Sequence, residues 1–345
     1  MPTFDLRLSR GPAANLSAPF DLPAQGTVEL RSIWSGDTTT DDPAFASFLS
    51  DIAEAAIGGE VCIDFPPYKQ PQISAPGSWN LKGDDAFANQ YPLSWNYLHP
   101  DSPNFALKRF QRRLYLNRLE PWLNLLPSGA SMLDLGGGIG RFSQAWLARD
   151  WNVTLCDPNA QALVLALSHL APLGGRFALQ QLAAENIASL PTEHFHAVSA
   201  MEVFCYLSTP TDGMAEAARV LRPGGLLFAS VESPIGSLEP HVRHSRDAIN
   251  DALIRDRLAI ENDVWVRYFT PDTLREDMES VGLQVDAVIG THYLPDGPMH
   301  HLVDVDRLGE PDYETALIEL ERLLQESKTW KDAARAWVVV ARKPR

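Results

Sequence analysis

The chain has 345 residues, 45% hydrophobic and 21% charged, enough apolar material to bury a large core in two domains or one large decorated one. Its formal net charge of −15 sets most of the surface against nucleic acid, and the one dense basic run, Lys108, Arg109, Arg112 and Arg113, has the spacing of an exposed helix face. No apolar stretch reaches the ~20 residues of a membrane span. The N-terminal MPTFDLRLSR has no signal-type apolar run, and Cys62, Cys156 and Cys205 are too scattered for a zinc site or redox pair, so the expectation is a cytoplasmic protein with reduced thiols and neither nucleic-acid nor membrane partner.

In chain order, TVELRSIW reads as a strand, Asp42-Pro43 opens a helix that stops at Gly58-Gly59, and EVCIDF is again strand-like. A looser aromatic stretch follows, with Trp79, Tyr91, Trp95, Tyr97 and Phe105 as either a wall for a flat or cationic acceptor or core beneath the extension. An amphipathic helix is expected over 104–119, with Pro121 ending or kinking it. We divide the chain into an α+β extension or cap, 1–103, and a main domain, 104–345.

From about residue 130 short apolar runs alternate with amphipathic segments, the pattern of an α/β sheet covered by helices on both faces. Strands are expected at 131–135, 152–156, 176–181, 196–201, 225–231, 283–289 and 337–342, with helices at 141–149, 160–171, 211–221 and 272–281. The last helix is opened by Thr270-Pro271, a capping hydroxyl followed by a first-turn proline. Seven strands at this spacing make one doubly wound, mostly parallel sheet. Two connections, 232–268 and 290–335, are long enough to shape a substrate site or to serve packing, and the second contains an amphipathic helix in YETALIELERLLQESKTW.

The most informative phrase runs from Met132 to Phe142, where a buried strand enters a turn holding Gly136, Gly137, Gly138 and Gly140 and then a helix. Glycines there let the backbone approach a ligand without a Cβ in the way. A dinucleotide site favours G-x-G-x-x-G, whose last glycine falls here on Arg141, and Asp134 at the strand end repels a pyrophosphate but suits a cationic ligand.

D-L-G-G-G-I-G, residues 134–140, resembles motif I of the class I S-adenosylmethionine-dependent methyltransferases. Further phrases extend the likeness over 130–290 and the last strand: Asp157, about 20 residues past the loop, where an acid accepts ribose hydroxyls; Ala183 to Ile187 on the adenine side; Val220 to Gly225 before the fifth strand; and Arg267 to Pro271 before the next helix. The resemblance implies a Rossmann-like fold and S-adenosylmethionine held by Asp134, Gly136, Gly137, Gly138, Gly140, Asp157, Pro158, Ala184, Glu185, Met201 and Glu202. Relatives usually carry an acid where Ala183 stands, so the adenine contact passes to Glu185 or to backbone around Ala184. Cys205-Tyr206 replaces an acidic-His pair found in many of them.

Methyl transfer from a sulfonium needs collinear nucleophile, carbon and sulfur with water excluded. A base is required only if the acceptor is a hydroxyl or protonated amine, and by position the candidates are Tyr206, which also suits a packing wall, and His241 and His244, which also suit an exposed loop. His300, His301, Asp304 and Asp306 have ligand chemistry but no spacing that assigns a metal, and none is expected. The expected activity is methylation of an oxygen or nitrogen of a small molecule, with the long insertions suiting the enclosed pockets of specialised metabolism. The alternatives are methylation of a basic protein segment drawn to the acidic surface, and a non-catalytic cofactor-binding protein.

Overall fold

The computed structural model describes residues 95–174, 176–234 and 264–345, together with the strand residues 8–9, 19–21, 27–29, 60–64 and 258–261. In chain order the elements are β1 (Leu8–Ser9), β2 (Pro19–Asp21), β3 (Thr27–Glu29), β4 (Glu60–Asp64), α1 (Phe105–Leu123), β5 (Ser131–Leu135), α2 (Ser143–Leu147), β6 (Asn152–Cys156), α3 (Ala160–Leu170) and β7 (Arg176–Gln180). There follow β8 (Phe195–Met201), α4 (Pro210–Val220), β9 (Leu221–Glu232), β10 (Leu258–Glu261), β11 (Val264–Arg267), α5 (Pro271–Ser280), β12 (Gln284–Thr291), α6 (Pro311–Glu326) and β13 (Ala336–Arg342).

The seven strands expected from residue 131 onward lie in the order β7-β6-β5-β8-β9-β13-β12, and β4 and β1 extend the β7 edge to a nine-stranded sheet. All run parallel except β13, which is antiparallel to both β9 and β12. Strands such as β8, FHAVSAM, and β13, AWVVVAR, are apolar almost throughout because both of their faces are covered. Along β13, Trp337, Val339 and Ala341 join one core and Val338 and Val340 the other, as the two-residue period of a strand requires. Helices α4 and α5 cover the first face through Met214, Ala217, Leu274 and Met278, and α2 and α3 the second through Trp146, Leu163 and Leu167. The sheet is therefore doubly wound, and its order reverses between β5 and β8, where the carboxyl ends of parallel strands open a crevice for a ligand.

Four expectations are adjusted. Pro121 does not end α1: it sits in the last turn, and the helix closes at Leu123 with the Asn124 N–H donating to the Glu120 carbonyl. Helix α2 is shorter than 141–149, since Arg141 and Phe142 belong to the turn. Strand β9 starts at Leu221, because Leu221 pairs with Phe195 before the register shifts around Arg222-Pro223-Gly224-Gly225. Of TVELRSIW only Thr27–Glu29 is described as strand, pairing with Pro19–Asp21. The helix expected after Asp42-Pro43, the aromatic residues Trp79 and Tyr91, and most of the 232–268 connection lie outside the described residues, apart from the β10–β11 hairpin.

Where Thr270-Pro271 opens α5, Thr270 Oγ1 accepts the Thr273 N–H at 3.3 Å in a capping box. The connection between β12 and β13 carries α6, whose buried Glu314 accepts from Arg109 and, at 2.6 Å, from Arg113 of α1. Among the described residues no helix is long and apolar enough to cross a membrane.

Candidate functional site

At the carboxyl end of β5 the chain turns through Gly136 and Gly138 with φ of +64° and +53°, backbone that glycine adopts without strain. A Cβ on Gly136 would stand 2.6 Å from Val203, so the loop is pressed against the exit of β8. A Cβ on Gly138 would meet nothing within 4 Å. The loop thus presents an open, side-chain-free cradle directly above the sheet, the shape an adenosyl group needs.

Asp157 closes the β6 side of that cradle. Its Oδ2 accepts the Gly138 N–H at 2.9 Å and its Oδ1 the Asn159 N–H at 2.8 Å. Burial pushes its carboxyl up to about 6, against the pull of those two N–H donors. The carboxylate is therefore held at the lip of the loop, with acceptor capacity for ribose hydroxyls. Pro158 follows it, half-buried, and its carbonyl accepts from Gln181 at 3.0 Å, which ties the β6 and β7 exits together.

Asp134 is placed differently from the sequence expectation of a ligand-facing acid. It is 1% exposed and accepts from Ser143 Oγ at 2.6 Å, so its side chain braces the first turn of α2 beneath the loop. Burial raises its carboxyl to about 6, opposed by the Ser143 hydroxyl. A Cβ on Gly137 would lie 3.0 Å from its Oδ2, which explains a third glycine in the turn. Ala184 is buried and Glu185 half-buried beyond β7, where burial raises the Glu185 carboxyl. Met201 and Glu202 stand at the end of β8, the strand paired with β5. The structure thus gathers the sequence-selected cofactor residues along four adjacent strand ends, β7, β6, β5 and β8.

Glu202 leads into a second cluster that the sequence reading did not assemble. It has φ +61°, an uncommon backbone for glutamate, and its Oε1 takes the Arg141 guanidinium at 3.0 Å and the Tyr115 hydroxyl at 3.1 Å. Burial alone would raise its carboxyl, but Arg141, with Lys108 and Arg335 behind it, holds it well below the usual carboxylate range. Arg141, which the sequence used only to reject a dinucleotide loop, is 4% exposed and stacks over Phe142 at 4.7 Å. Farther along the edge Arg335 Nη1 lies 2.9 Å from Glu232 and 3.2 Å from Asp296. His292, at the end of β12, is fully buried with its ring centroid 4.3 Å from that of Tyr115. Three carboxylates are thus paired with two guanidinium groups in a largely buried cluster, where unpaired charge is costly. The available signal was Gly290-Thr-His292-Tyr-Leu-Pro-Asp296-Gly297, a histidine and an acid four apart inside a glycine-bounded turn.

Of the sequence-selected base candidates, Tyr206 lies beside this cluster, half-buried against the β8 and β9 core. Burial, together with Cys205, Glu232 and Glu202, pushes its phenol well above the ordinary value, so it remains a hydroxyl and suits a wall or donor better than a base. His241 and His244 lie outside the described residues. His196 is at the opposite end of β8, its Nδ1 accepting the Ser131 N–H at 3.1 Å, a purely structural link. Among the described residues no group of three or more His, Cys, Asp or Glu is placed to hold a metal.

A family model described as a methyltransferase domain matches residues 133–227, the span from β5 into β9 that carries both the loop and Glu202. The ubiquinone biosynthesis O-methyltransferase of Dechloromonas aromatica is 25% identical over 169 residues, 49% of this chain and 70% of that protein. Its namesake from Xanthomonas axonopodis pv. citri is 26% identical over 210 residues, 61% of this chain and 82% of the other. Among solved structures, the phosphoethanolamine N-methyltransferase 2 of Haemonchus contortus, in complex with S-adenosyl-L-methionine, aligns over 81% of this chain and 62% of its own at 16% identity and a TM-score of 0.49.

Proposed function

We propose that this chain, a class I S-adenosylmethionine-dependent methyltransferase, methylates an oxygen of a small molecule in the cytoplasm. The observation that carries the cofactor half is the open cradle at Gly138 with Asp157 at its lip. In this reading Gly136, Gly137, Gly138 and Gly140 give the cofactor bare backbone, Asp157 and Pro158 flank its ribose, Ala184 and Glu185 its base, and Met201 and Glu202 its methionine half. Asp134 acts through Ser143 by fixing the turn.

When bound, the cofactor supplies a methyl carbon activated by sulfonium. The chain then has to orient the acceptor, exclude water and take up a proton. In this reading the Glu202–Arg141 pair and the Arg335 pairs brace the acceptor side, and Tyr206 forms part of its wall. Oxygen is favoured over nitrogen by the names of the relatives, which describe O-methyltransferases of ubiquinone biosynthesis. Those names give specialised metabolism no support.

The test is mass spectrometry after incubating the protein with isotopically labelled methyl donor and either a metabolite pool or a protein extract. The expected result is label on the oxygen of a small molecule. Label confined to protein, or donor binding without any labelled product, would overturn this reading.

A further inference from the structure

The basic run at the start of α1 has the spacing of an exposed helix face, yet most of it is tied down in the fold. Arg109 and Arg113 both reach Glu314 of α6, and Arg112 donates to the Arg141 carbonyl at 2.9 Å and to Gln144 Oε1 at 2.6 Å. Lys108 is the exception: its Nζ makes no hydrogen bond or ion pair with any described residue. It lies instead over the face of Tyr97, 5.9 Å from the ring centroid.

The same ring borders Arg141, whose Cζ stands 5.8 Å from its centroid, so two cations flank one aromatic wall beside the exit of the glycine loop. Arg141 is 4% exposed and gives Nη2 to Glu202, but its Nε is buried with no partner among the described residues. A buried donor left without an acceptor is costly. The acids nearby are already engaged: Glu202 takes Arg141 and the Tyr115 hydroxyl, and Asp296 Oδ2 lies 3.2 Å from Arg335. Burial lowers the basicity of the Lys108 amine, Glu202 and Asp296 partly restore it, and Arg141 and Arg335 lower it again. An ammonium and a guanidinium N–H thus border one ring, partly withdrawn from water and short of an anion, where a carboxylate would gain charge-assisted bonds.

The place is open to a ligand. Lys108, Tyr97 and Tyr206 are half-buried, and 22% of the Glu202 side chain is exposed. The charges that act on Lys108 are those of Glu202, Arg141, Asp296 and Arg335, on the acceptor side, rather than Asp134 or Asp157 of the cofactor cradle. Resting on the reading that an oxygen of a small molecule is methylated, we propose that Lys108, with the unpaired Nε of Arg141, receives a carboxylate of the acceptor, which makes the substrate class a hydroxylated carboxylic acid. The contact sets specificity: it orients the acceptor through its acid group and takes no part in bond making at the methyl carbon.

The labelled product recovered from a metabolite pool should carry a carboxylate, and the methyl ester of that acceptor should have a kcat/KM at least about tenfold lower with the parent. In Lys108→Met, which keeps the apolar stem and removes the charge, the preference for acid over ester should fall about 10- to 100-fold, chiefly through KM, and Lys108→Arg should restore most of it. Calorimetry should find S-adenosylmethionine binding to Lys108→Met within about twofold of the parent. A labelled product without an acid group, or an acid-to-ester preference that survives in a folded Lys108→Met, overturns the proposal. So does a tenfold loss of S-adenosylmethionine affinity in Lys108→Met with 5′-methylthioadenosine binding unchanged, which would assign the site to the carboxylate of the cofactor itself. If Lys108→Met fails to fold, a parent that uses acid and ester equally overturns it. Label on no small molecule defeats the oxygen reading instead.

Discussion

The two halves of the site are built in different ways. At the ends of β5 and β6 the work is done by backbone: four glycines, one N–H from Gly138 to Asp157, and an acid that braces a helix from below. At the ends of β8, β9 and β12 it is done by side chains, with Glu202 paired to Arg141 at the α2 entry and Glu232 and Asp296 paired to Arg335 just ahead of β13. The first half spans fewer than thirty consecutive residues; the second draws on positions from 108 to 335. A backbone cradle is tolerant of what lies elsewhere, whereas a buried ion cluster depends on every member.

The largest expected difference follows from that dependence. Arg335→Met removes the partner of Glu232, a carboxylate with 2% of its side chain exposed, and should destabilise the protein by about 3–5 kcal/mol, as for other broken buried pairs. Urea titration measures it, and an unchanged midpoint would mean that the acceptor side is not held by this cluster. On the cofactor side, Asp157→Ala frees two backbone N–H groups and should lower the urea midpoint less than Arg335→Met does, while weakening S-adenosylmethionine binding at least about tenfold, or ~1.4 kcal/mol. Both effects falling on stability would erase the contrast between the halves.

A smaller, graded effect comes from pH. The Asp157 carboxyl titrates at about 6 in the free protein, raised by burial. Since that value lies above the usual carboxylate range, the native state holds the extra proton, and stability is lost rather than gained as pH rises through 6. Cofactor binding has the opposite sign, because ribose hydroxyls are accepted by the ionised form. Affinity in the parent should therefore decline as pH is lowered from 7 to 5, approaching a tenfold loss per unit below 6. In Asp157→Ala the slope should disappear.

The same contrast explains what the sequence made legible. All seven main strands were placed, since runs such as NVTLC and WVVVAR carry their burial in their own composition. The loop was legible because glycines, a strand and Asp157 are close in sequence. The role of Asp134 was not, because whether a carboxylate faces ligand or helix depends on Ser143 and the packing of α2. Pro121 does not end α1, which runs on to Leu123; a proline inside a helix forfeits one i→i−4 hydrogen bond, and the packing of α1 through Leu119 and Leu123 carries the helix past it. His292, Arg335 and Glu232 could not be joined by spacing, as β13 inserts between β9 and β12 and only the folded sheet makes them neighbours.

The most direct measurement is a calorimetric titration of S-adenosylmethionine into the parent and into Gly138→Val. A branched side chain there would sit on backbone with φ +53° and fill the space that the bare loop keeps open. The account predicts saturable one-to-one binding by the parent and at least about tenfold weaker binding by the variant. Equal affinity for the two folded proteins, or a parent that binds NAD in preference, would contradict it.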